Sequence, residues 1–410
     1  MQMIYIIRHG QTRKNKAHAL QGRSDDLLNA EGKEQVRKAG RLFKENGITF
    51  DLIYSSPLQR AIDTVKIVDS QTPIRIDERL IEMDYGPYEG MDLTNPLPEI
   101  VTFFSDFVHN PAPEGMEQLP DVVKRAGAFL EEIKKEAEGK NVLISTHAIA
   151  MKGLLEYLMP KSQGSWWSRF IGNCAIYQAE LKDGKYGLPY EMRPYPDYSM
   201  IDMDTWPRRE HFRYYQEKIP CSHSMTVDVD VTHMLDYARS NKIHFSACLL
   251  YAVSKAVNEL DSARLMTDQE GNPGTWETVN PVFTVFHQDD HTFSDLWMDY
   301  KPDFESFLKE YDAVVRIYGD EKGIKGRPGQ PANFFCFSCA PFTSYRSYSC
   351  CATASPVPPL FPIIDCGKYT KIGDRYLLPA ALTISHAAMD GWHLGQFFER
   401  LQEYVDEIGK

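Results

Sequence analysis

The segment 384–393 (ISHAAMDGWH) joins a buried strand to an amphipathic helix, and it constrains the fold of the second half of the chain. The short, continuous apolar run 376–384 predicts a buried strand. After this segment, apolar side chains recur at helical spacing and predict a helix with one buried face; these residues are Leu394, Phe397, Phe398, Leu401 and Tyr404. His386 is therefore expected where a strand ends.

His386 is a candidate general base, because a neutral imidazole can take a proton from a substrate hydroxyl near pH 7. We expect Asp390 to hold the turn by pairing with an arginine. Gly391 is expected to allow a backbone angle that other residues resist. The alternative interpretation is a buried histidine followed by an Asp-Gly turn. The spacing alone does not decide between them, because short motifs also match by chance.

Several motifs in the same order resemble the chloramphenicol acetyltransferase family over about residues 198–407. The segment 386–391 is similar to its His-x-x-x-Asp-Gly signature, and the other similar segments are 206–212 (WPRREHF), 283–287 (FTVFH), 334–338 (FFCFS) and 367–369 (GKY). The resemblance implies a two-layer α/β fold and a homotrimer with each active site between neighbouring subunits. It also implies acetyl-coenzyme A as acyl donor and a small-molecule hydroxyl acceptor.

By this resemblance, His386 is the general base and Ser338 binds the tetrahedral oxyanion that develops in acyl transfer. Arg208 and Asp390 form a structural ion pair near the base. The resemblance places six residues in the acceptor pocket and one in the coenzyme A tunnel; they are Tyr214, Tyr215, Ile219, Cys221, Phe293 and Tyr348, and then Tyr369.

The sequence departs from this family at several positions. Ser385 replaces a histidine, Cys336 an asparagine, Phe342 a tryptophan and Asp365 a threonine, and the segment 349–362 also differs. These departures weaken a role in acetylating chloramphenicol itself and leave acyl transfer as the expectation. For Asp365, the alternative interpretation is a salt-bridged or exposed carboxylate.

The first half of the chain alternates strand and helix patterns, which predicts an α/β sheet with helices on both faces. We expect strands at 3–7, 52–54 and 142–145, a helix capped by Asn29, a helix opened by Pro57, and helices at 121–138 and up to Tyr157. His9 and His147 each follow a strand, where α/β proteins place ligands. A histidine can attack phosphorus, and arginine guanidinium groups match phosphoryl oxygens. The pattern favours phosphate chemistry.

This half resembles the histidine phosphatase, or phosphoglycerate-mutase-like, superfamily over about residues 1–181. The similar segments are 8–12 (RHGQT) with Asn15, 55–61 (SSPLQRA) with Thr64, 80–86 (LIEMDYG) and 145–147 (STH). The resemblance implies a three-layer α/β/α fold acting on a small-molecule phosphomonoester. His9 becomes phosphohistidine and Glu82 protonates the leaving oxygen; the phosphoryl group is bound by Arg8, Asn15, Arg60 and His147. It does not separate a phosphatase from a mutase, although the short segment favours a phosphatase.

Length and composition bound the remaining possibilities. The 410 residues favour two domains, at 1–181 and 198–410, joined by an extended Gly-, Pro- and Tyr-rich linker at 182–197. No apolar run is long enough to span a membrane, and the Arg-His-Gly at 8–10 interrupts a signal peptide, so we expect a cytoplasmic protein. The first 196 residues carry 25 basic and 27 acidic side chains and the rest carry 20 and 30, which argues against a nucleic-acid partner.

The eight cysteines do not form the framework of a small secreted protein. Cys336 and Cys339 have CxxC spacing, but in a strand they would point to opposite faces, so we expect packed thiols and no metal site. The sequence thus predicts a bifunctional enzyme, a histidine phosphatase fused to an acetyl-coenzyme-A-dependent O-acetyltransferase. The alternative is a phosphatase joined to a catalytically inactive trimerising or ligand-binding module.

Overall fold

The structure is a computed structural model that describes residues 2–350 and 357–409. Part of the divergent segment 349–362 lies outside these residues. The chain divides into two units, Met1–Pro194 and Tyr195–Lys410. The linker bounds of 182–197 stay a prediction.

The first unit is built on one mixed sheet. Its strands are β1 (Met3–Arg8), β2 (Leu52–Ser55), β3 (Ile74–Ile76), β4 (Val142–Thr146), β5 (Ile176–Lys182), β6 (Lys185–Tyr186) and β7 (Tyr190–Met192). Its helices are α1 (Arg13–Lys16), α2 (Ala30–Glu45), α3 (Gln59–Val68), α4 (Pro98–Ser105), α5 (Leu119–Ala137) and α6 (Ala148–Leu158). The strand order is β3-β2-β4-β1-β5-β6, with β7 also paired to β5. The four strands β1 to β4 pair in parallel, and β5 runs antiparallel to β1.

Helices cover both faces of this sheet, which explains why its central strands are apolar on both sides. On one face, the ring of Tyr5 in β1 lies 5.5 Å from that of Phe43 in α2. On the other face, Tyr54 in β2 lies 5.3 Å from Phe129 in α5. The expected α/β/α fold is confirmed.

The helix ends test two local predictions. Asn29 caps α2 as expected, since its side chain accepts a hydrogen bond from the backbone N–H of Gly32 at 2.7 Å. The prediction that a helix begins at Pro57 is wrong, because Leu58 still has extended backbone angles and α3 begins at Gln59. The Ser56 hydroxyl accepts from the N–H of Leu58 at 3.3 Å and satisfies it outside the helix.

The second unit contains a larger mixed sheet and a small one. Its strands are β8 (Tyr198–Met200), β9 (Ser222–Asp230), β10 (Leu265–Thr267), β11 (Pro273–Trp276), β12 (Asn280–His287), β13 (Thr292–Trp297), β14 (Phe334–Cys339), β15 (Ile363–Cys366), β16 (Thr370–Ile372) and β17 (Arg375–Ser385). Its helices are α7 (Arg209–Arg213), continued by a π-helical turn at Tyr214–Lys218, then α8 (Thr232–Asn241), α9 (Phe245–Glu259), α10 (Phe304–Tyr318) and α11 (Gly391–Glu407). The large sheet has the order β13-β12-β14-β15-β17-β16, with β9 also paired to β17, and the small sheet has the order β10-β11-β8.

The two faces of the large sheet differ in polarity because side chains alternate along each strand. One face carries buried apolar residues such as Phe337, Ile364 and Leu382, which are aligned across β14, β15 and β17. Helices pack on this face; for example, Tyr311 of α10 stacks on Phe283 of β12 at 5.2 Å. The opposite face is polar around Ser338. The unit therefore has the expected two-layer α/β fold.

The turn after β17 corrects the prediction for Gly391. Gly391 is the first residue of α11 and is not among the glycines with positive φ. Asp390 instead ends the turn by capping the helix: its Oδ1 accepts from the N–H of Trp392 at 3.1 Å and of His393 at 3.4 Å.

Gly32 on α2 faces the loop after β1, and no side chain fits between them. A Cβ there would lie 2.1 Å from the backbone oxygen and 2.6 Å from the backbone nitrogen of Gln11. Gly32→Ala should therefore destabilise the protein by about 1–3 kcal/mol, as overpacking typically does. Urea unfolding followed by circular dichroism measures the change.

Gly40→Ala on the same helix is the matched control. Its Cβ would meet Val68 Cα at an ordinary 3.7 Å. This variant should stabilise by about 0.5–1 kcal/mol, because alanine loses less backbone entropy in a helix than glycine. Equal stability of the two variants would contradict the close approach.

Candidate functional sites

Two buried histidines and a buried arginine meet at one end of the first sheet. His9 follows β1, His147 follows β4, and Arg60 lies in the first turn of α3. The two imidazole rings are 5.0 Å apart. The Nε of Arg60 donates to Nε2 of His9 and to Nδ1 of His147, both at 3.2 Å. The structure therefore brings together the residues that the sequence placed at separate strand ends.

The hydrogen bonds of His9 define its tautomer. Its Nδ1 lies 2.8 Å from the carbonyl oxygen of Gly10, which can only accept, so Nδ1 carries the proton. Burial first, and then the charges of Arg60 and Arg8, lower the pKa of His9 well below its usual value. The ring is neutral at pH 7, with an unprotonated Nε2 facing Arg60 and His147.

His147 has the opposite arrangement. Its Nδ1 accepts from Arg60, and its Nε2 donates to the hydroxyl of Ser56 at 2.7 Å. Burial and the Arg60 charge lower its pKa well below the usual value. His147 is thus a neutral N–H donor at this end of the sheet.

Arg8 and Arg60 provide the positive charge. Arg60 donates to the carbonyl oxygens of Ser24 at 2.5 Å and Gly22 at 2.6 Å, which fixes its guanidinium plane. Arg8 donates to the carbonyl of Ile171 at 2.5 Å. Its buried Nε has no hydrogen-bond partner within residues 2–350 and 357–409. A buried unpaired donor is costly, and an anion can satisfy it.

Glu82 lies buried at the start of α6. One of its carboxylate oxygens accepts from the N–H groups of Met83 and Ala150, both at 2.9 Å, and the other accepts from Ile149 at 3.2 Å. The unpaired N–H groups at a helix N-terminus favour a carboxylate there. Its expected role as proton donor stays a prediction.

Asn15 lies in a network that the sequence revealed only in part. Its side-chain oxygen accepts from Asn173 at 3.2 Å, and Asn173 also donates to the backbone oxygen of His9 at 3.1 Å. Lys152 of α6 is also buried. Its ammonium group donates to the carbonyl oxygen of Trp167 at 2.7 Å, and burial lowers its pKa to about 8. Neither Asn173 nor Lys152 belongs to a motif, so no sequence signal identified them.

In the second unit, His386 lies between two aromatic rings. Tyr215 stacks on one side with ring centroids 3.9 Å apart, and His223 stacks on the other side at 4.4 Å. Nδ1 of His386 lies 3.1 Å from the carbonyl oxygen of Met389, so Nδ1 carries the proton and Nε2 keeps its lone pair. This is the tautomer that a general base needs.

His223 is a functional neighbour that the sequence analysis missed. It lies on β9, opposite Ile384 of β17, and its Nε2 is 3.1 Å from the same Met389 oxygen. Burial, and then the charge of His386, lower the pKa of His223. A sequence separation of 163 residues, 223 to 386, hides this contact from any local pattern.

The expected ion pair near the base is present. Arg208 donates to Asp390 Oδ2 and to the backbone oxygens of His386 and Ala387, both at 3.4 Å. Burial raises the pKa of Asp390, but hydrogen bonds and charges from His393 and Arg208 outweigh it and hold the pKa at about 2. The pair fixes the turn that carries His386.

The expected acceptor-pocket residues do not form one cluster within the chain. Tyr215 contacts His386, Tyr214 stacks edge-on against Tyr215 at 5.2 Å, and the backbone oxygen of Cys221 accepts from the N–H of His386 at 2.9 Å. The backbone N–H of Ile219 donates to the carbonyl oxygen of Tyr214 at 3.0 Å, so Ile219 lies next to this group with an exposed side chain. Phe293 is exposed, and Tyr348 packs on Tyr345. Tyr369, the residue expected in the coenzyme A tunnel, contacts Phe245 and Tyr376.

Ser338 lies in a row of polar side chains on the outer face of the large sheet. The hydroxyl of Thr284 on β12 donates to Ser338 Oγ at 3.4 Å, and Asp365 on β15 is the aligned neighbour on the other side. Burial raises the pKa of Asp365 to about 6, and the neighbouring Ser338 hydroxyl opposes that rise. Its Oδ2 is buried and unpaired among the described residues. Asp365 is neither exposed nor salt-bridged there, so that alternative interpretation is wrong.

Strand register separates Ser338 from His386 in one chain. Ser338 aligns with Asp365, and Asp365 aligns with Ala381 on β17. His386 lies five residues further along, or roughly 16–17 Å at the usual rise per strand residue. The two side chains are therefore too far apart to contact the same reacting carbon within one chain.

The predictions of packed thiols and of no metal site both concern Cys336 and Cys339 on β14. Cys336 and Cys339 are part-buried free thiols, and burial raises the pKa of Cys336 to about 12. In the part of the chain that the structure describes, no three His, Cys, Asp or Glu residues cluster as metal ligands. No helix among those residues is long and apolar enough to cross a membrane.

Comparison with known proteins gives two family matches. Residues 196–402 match the family model described as chloramphenicol acetyltransferase, and residues 4–189 match that of the histidine phosphatase superfamily, branch 1. A chloramphenicol acetyltransferase of Vibrio anguillarum is 32% identical over 212 residues, covering 52% of this chain and 96% of the relative. One of Clostridium perfringens is 34% identical over 209 residues, covering 51% and 99%.

Among solved structures, a phosphoserine phosphatase from Entamoeba histolytica in complex with 3-phosphoglyceric acid is 25% identical with a TM-score of 0.41, covering 47% of this chain and 96% of that one. The two matched segments follow one another along the chain. The chain is therefore a fusion of a histidine phosphatase domain and an acetyltransferase-like domain. Because the match at residues 196–402 spans half of the sequence, the protein belongs to the chloramphenicol acetyltransferase family.

Proposed function

We propose that the protein is a bifunctional enzyme: a phosphohistidine-dependent phosphomonoester hydrolase and an acetyl-coenzyme-A-dependent O-acetyltransferase. The hydrolase proposal depends above all on the neutral His9, whose unprotonated Nε2 accepts a hydrogen bond from Arg60 that the phosphoryl group must displace. The transferase proposal depends on His386, whose Nδ1–H is held by Met389 while Nε2 stays free. Both substrates are small molecules, and we propose a cytoplasmic homotrimer.

In the hydrolase, Nε2 of His9 attacks phosphorus and the bond to the leaving oxygen breaks. Arg8, with its unpaired Nε, and Arg60 bind the phosphoryl oxygens, and Asn15 supports the loop beside them. His147 holds Arg60 through its Nδ1 beside the transferring group, and Glu82, in its protonated form, supplies the proton to the leaving oxygen. Water then hydrolyses phosphohistidine, so one hard step becomes two easier ones. We favour a hydrolase over a mutase because the segment is short.

In the transferase, Nε2 of His386 takes the proton of the acceptor hydroxyl as that oxygen attacks the thioester carbonyl. Ser338 donates to the resulting oxyanion. When the oxyanion collapses, the C–S bond of acetyl-coenzyme A breaks and the acetyl group stays on the acceptor oxygen. Coenzyme A leaves as the thiol, with the proton that His386 took. The pocket residues Tyr214, Tyr215, Cys221, Phe293 and Tyr348 bind the acceptor, and Tyr369 contacts coenzyme A.

We propose that each transferase site is shared by two subunits, because His386 and Ser338 of one chain lie roughly 16–17 Å apart along the strand direction. A second copy can bring its own Ser338 next to His386. The exposed rings of Tyr214, Phe293 and Phe342 suit a surface that another subunit covers.

One observation favours the alternative of an inactive module. Asp365 is aligned with Ser338 on the neighbouring strand, and its carboxylate competes with an oxyanion for the serine hydroxyl. The intact Arg208–Asp390 pair and the tautomer of His386 favour an active enzyme.

His9→Ala should abolish hydrolysis of an aryl phosphate and leave acetyl-coenzyme A consumption unchanged, because only the nucleophile of the first unit is lost. Release of p-nitrophenol measures the first activity and thiol release the second. His109→Ala is the control, since His109 is an exposed histidine of the same unit. Phosphatase activity that survives in His9→Ala would refute this nucleophile.

His386→Ala and Asp390→Asn should separate the effect of losing the general base from the effect of losing the ion pair that holds its turn. General-base catalysis contributes about 10²–10⁴-fold, so His386→Ala should lower the transfer rate by that factor at constant melting temperature. Asp390→Asn should lower both rate and stability, the latter by about 1–2 kcal/mol because the ion pair is part-exposed. Thiol-release kinetics and thermal unfolding measure the two effects. Full activity in both variants would rule out this base.

Mixed trimers test the shared site. His386→Ala and Ser338→Ala chains, co-expressed with different tags, should each be inactive alone. In random mixed trimers, about a quarter of the sites should pair an intact His386 with an intact Ser338 and recover transfer. Light scattering checks the trimer. If the mixed trimers stay inactive, His386 and Ser338 act from the same subunit. If the protein is a monomer, no site is shared between subunits.

A further inference from the structure

Asp365 is a part-buried carboxylate that pairs with no cation within residues 2–350 and 357–409. It lies next to Ser338 across β14 and β15, and the hydroxyl of that serine lowers its pKa against the effect of burial. Oδ2 is shielded from solvent and unpaired in the same part of the chain. A buried acceptor left without a donor costs free energy that a ligand donor can recover.

The groups around Asp365 do not neutralise it. Those described residues whose titration its charge affects are thiols and phenols, and each has a raised pKa: Cys336, Tyr345, Tyr348 and Cys366. Tyr345 uses its hydroxyl on the backbone oxygen of Asp365 at 2.7 Å, so it does not bind the carboxylate. Among the residues that the structure describes, no arginine or lysine charge lowers the pKa of Asp365.

The carboxylate also conflicts with the role proposed for Ser338. A hydroxyl that donates to Asp365 cannot donate the same proton to an oxyanion. A negative charge beside the oxyanion would further oppose its formation. A cation bound to Asp365 removes both obstacles, because it neutralises the charge and replaces Ser338 as the donor.

We propose that Asp365 is the counter-ion for an acceptor that carries a protonated amine, so that the transferase site selects amino-alcohols over neutral alcohols. The inference rests on the proposed transferase function. Adjacent strands are about 4.8 Å apart, so the amine must lie close to the acylated hydroxyl, at a spacing of about two or three carbons. Rotation about the Cβ–Cγ bond of Asp365, a broad torsion, can turn either oxygen toward the amine.

A matched pair of ligands tests the proposal on the full-length protein at pH 7.5. One is a 1-aryl-propane-1,3-diol with a dimethylamino group at carbon 2, and the other carries an isopropyl group there. The two have nearly the same shape, only the first is cationic, and a tertiary amine forms no stable amide. Titration calorimetry measures binding without acetyl-coenzyme A, and thiol release measures kcat/KM with it.

The wild-type protein should bind the amino-diol about tenfold or more tightly than the neutral diol, as a charge-assisted hydrogen bond warrants. Asp365→Asn keeps the shape and removes the charge, and should bring the ratio close to unity. Asp374→Asn is the control, because it removes the same charge from an exposed turn between β16 and β17 and should keep the wild-type ratio. An unchanged melting temperature shows that the variants fold.

Each outcome decides one of the two proposals. A wild-type ratio of unity, a preference for the neutral diol, an unchanged ratio in Asp365→Asn, or no binding of either diol overturns the counter-ion. Selective binding that depends on Asp365, but without thiol release, supports the counter-ion and contradicts the transferase. Thiol release that favours the neutral diol contradicts the counter-ion and leaves the transferase standing.

Discussion

The pairing of β17 on both sides organises the second unit. β17 is hydrogen-bonded to β15 along one edge and to β9 along the other, in registers that match residue for residue. Because side chains alternate along a strand, this register decides which residues face the helices and which face outward. Leu382 faces the apolar core, while its neighbour Thr383 bonds to Ser224 on the polar face. A shift by one residue would reverse both faces and remove the row that contains Ser338.

Burial sets the protonation states at both candidate sites, with different results. His9 and His147 lie beside arginines, so desolvation and positive charge act in the same direction and keep both rings neutral. Asp365 lies among thiols and phenols, so desolvation raises the pKa of a carboxyl that no cation within residues 2–350 and 357–409 lowers. The first site has surplus positive charge for an anion. The second has an uncompensated negative charge, which is the physical basis for a cationic acceptor.

In the two reactive histidines, a hydrogen bond to a backbone carbonyl oxygen, rather than to a charged side chain, determines which ring nitrogen carries the proton. Gly10 holds the Nδ1 proton of His9, and Met389 holds that of His386. In both cases the bond leaves Nε2 unprotonated, as a nucleophile requires in one unit and a base in the other. The carbonyl of Met389 is itself fixed by the turn that the Arg208–Asp390 pair and the cap of α11 hold together.

The sequence by itself determined the strands β1, β2, β4 and β17, the helices α2, α5, α6 and α11, and the strand ends that carry His9, His147 and His386, because these follow from local hydrophobic period and capping. It also determined the pairing of Arg208 with Asp390 through a recognisable motif. Its local predictions failed where neighbouring backbone decided the conformation, as at Pro57 and Gly391. Only the tertiary structure placed His223 against His386, left Asp365 without a counter-ion, and separated Ser338 from His386. These features depend on strands brought together from distant parts of the chain, and a single sequence does not encode their register in any local pattern.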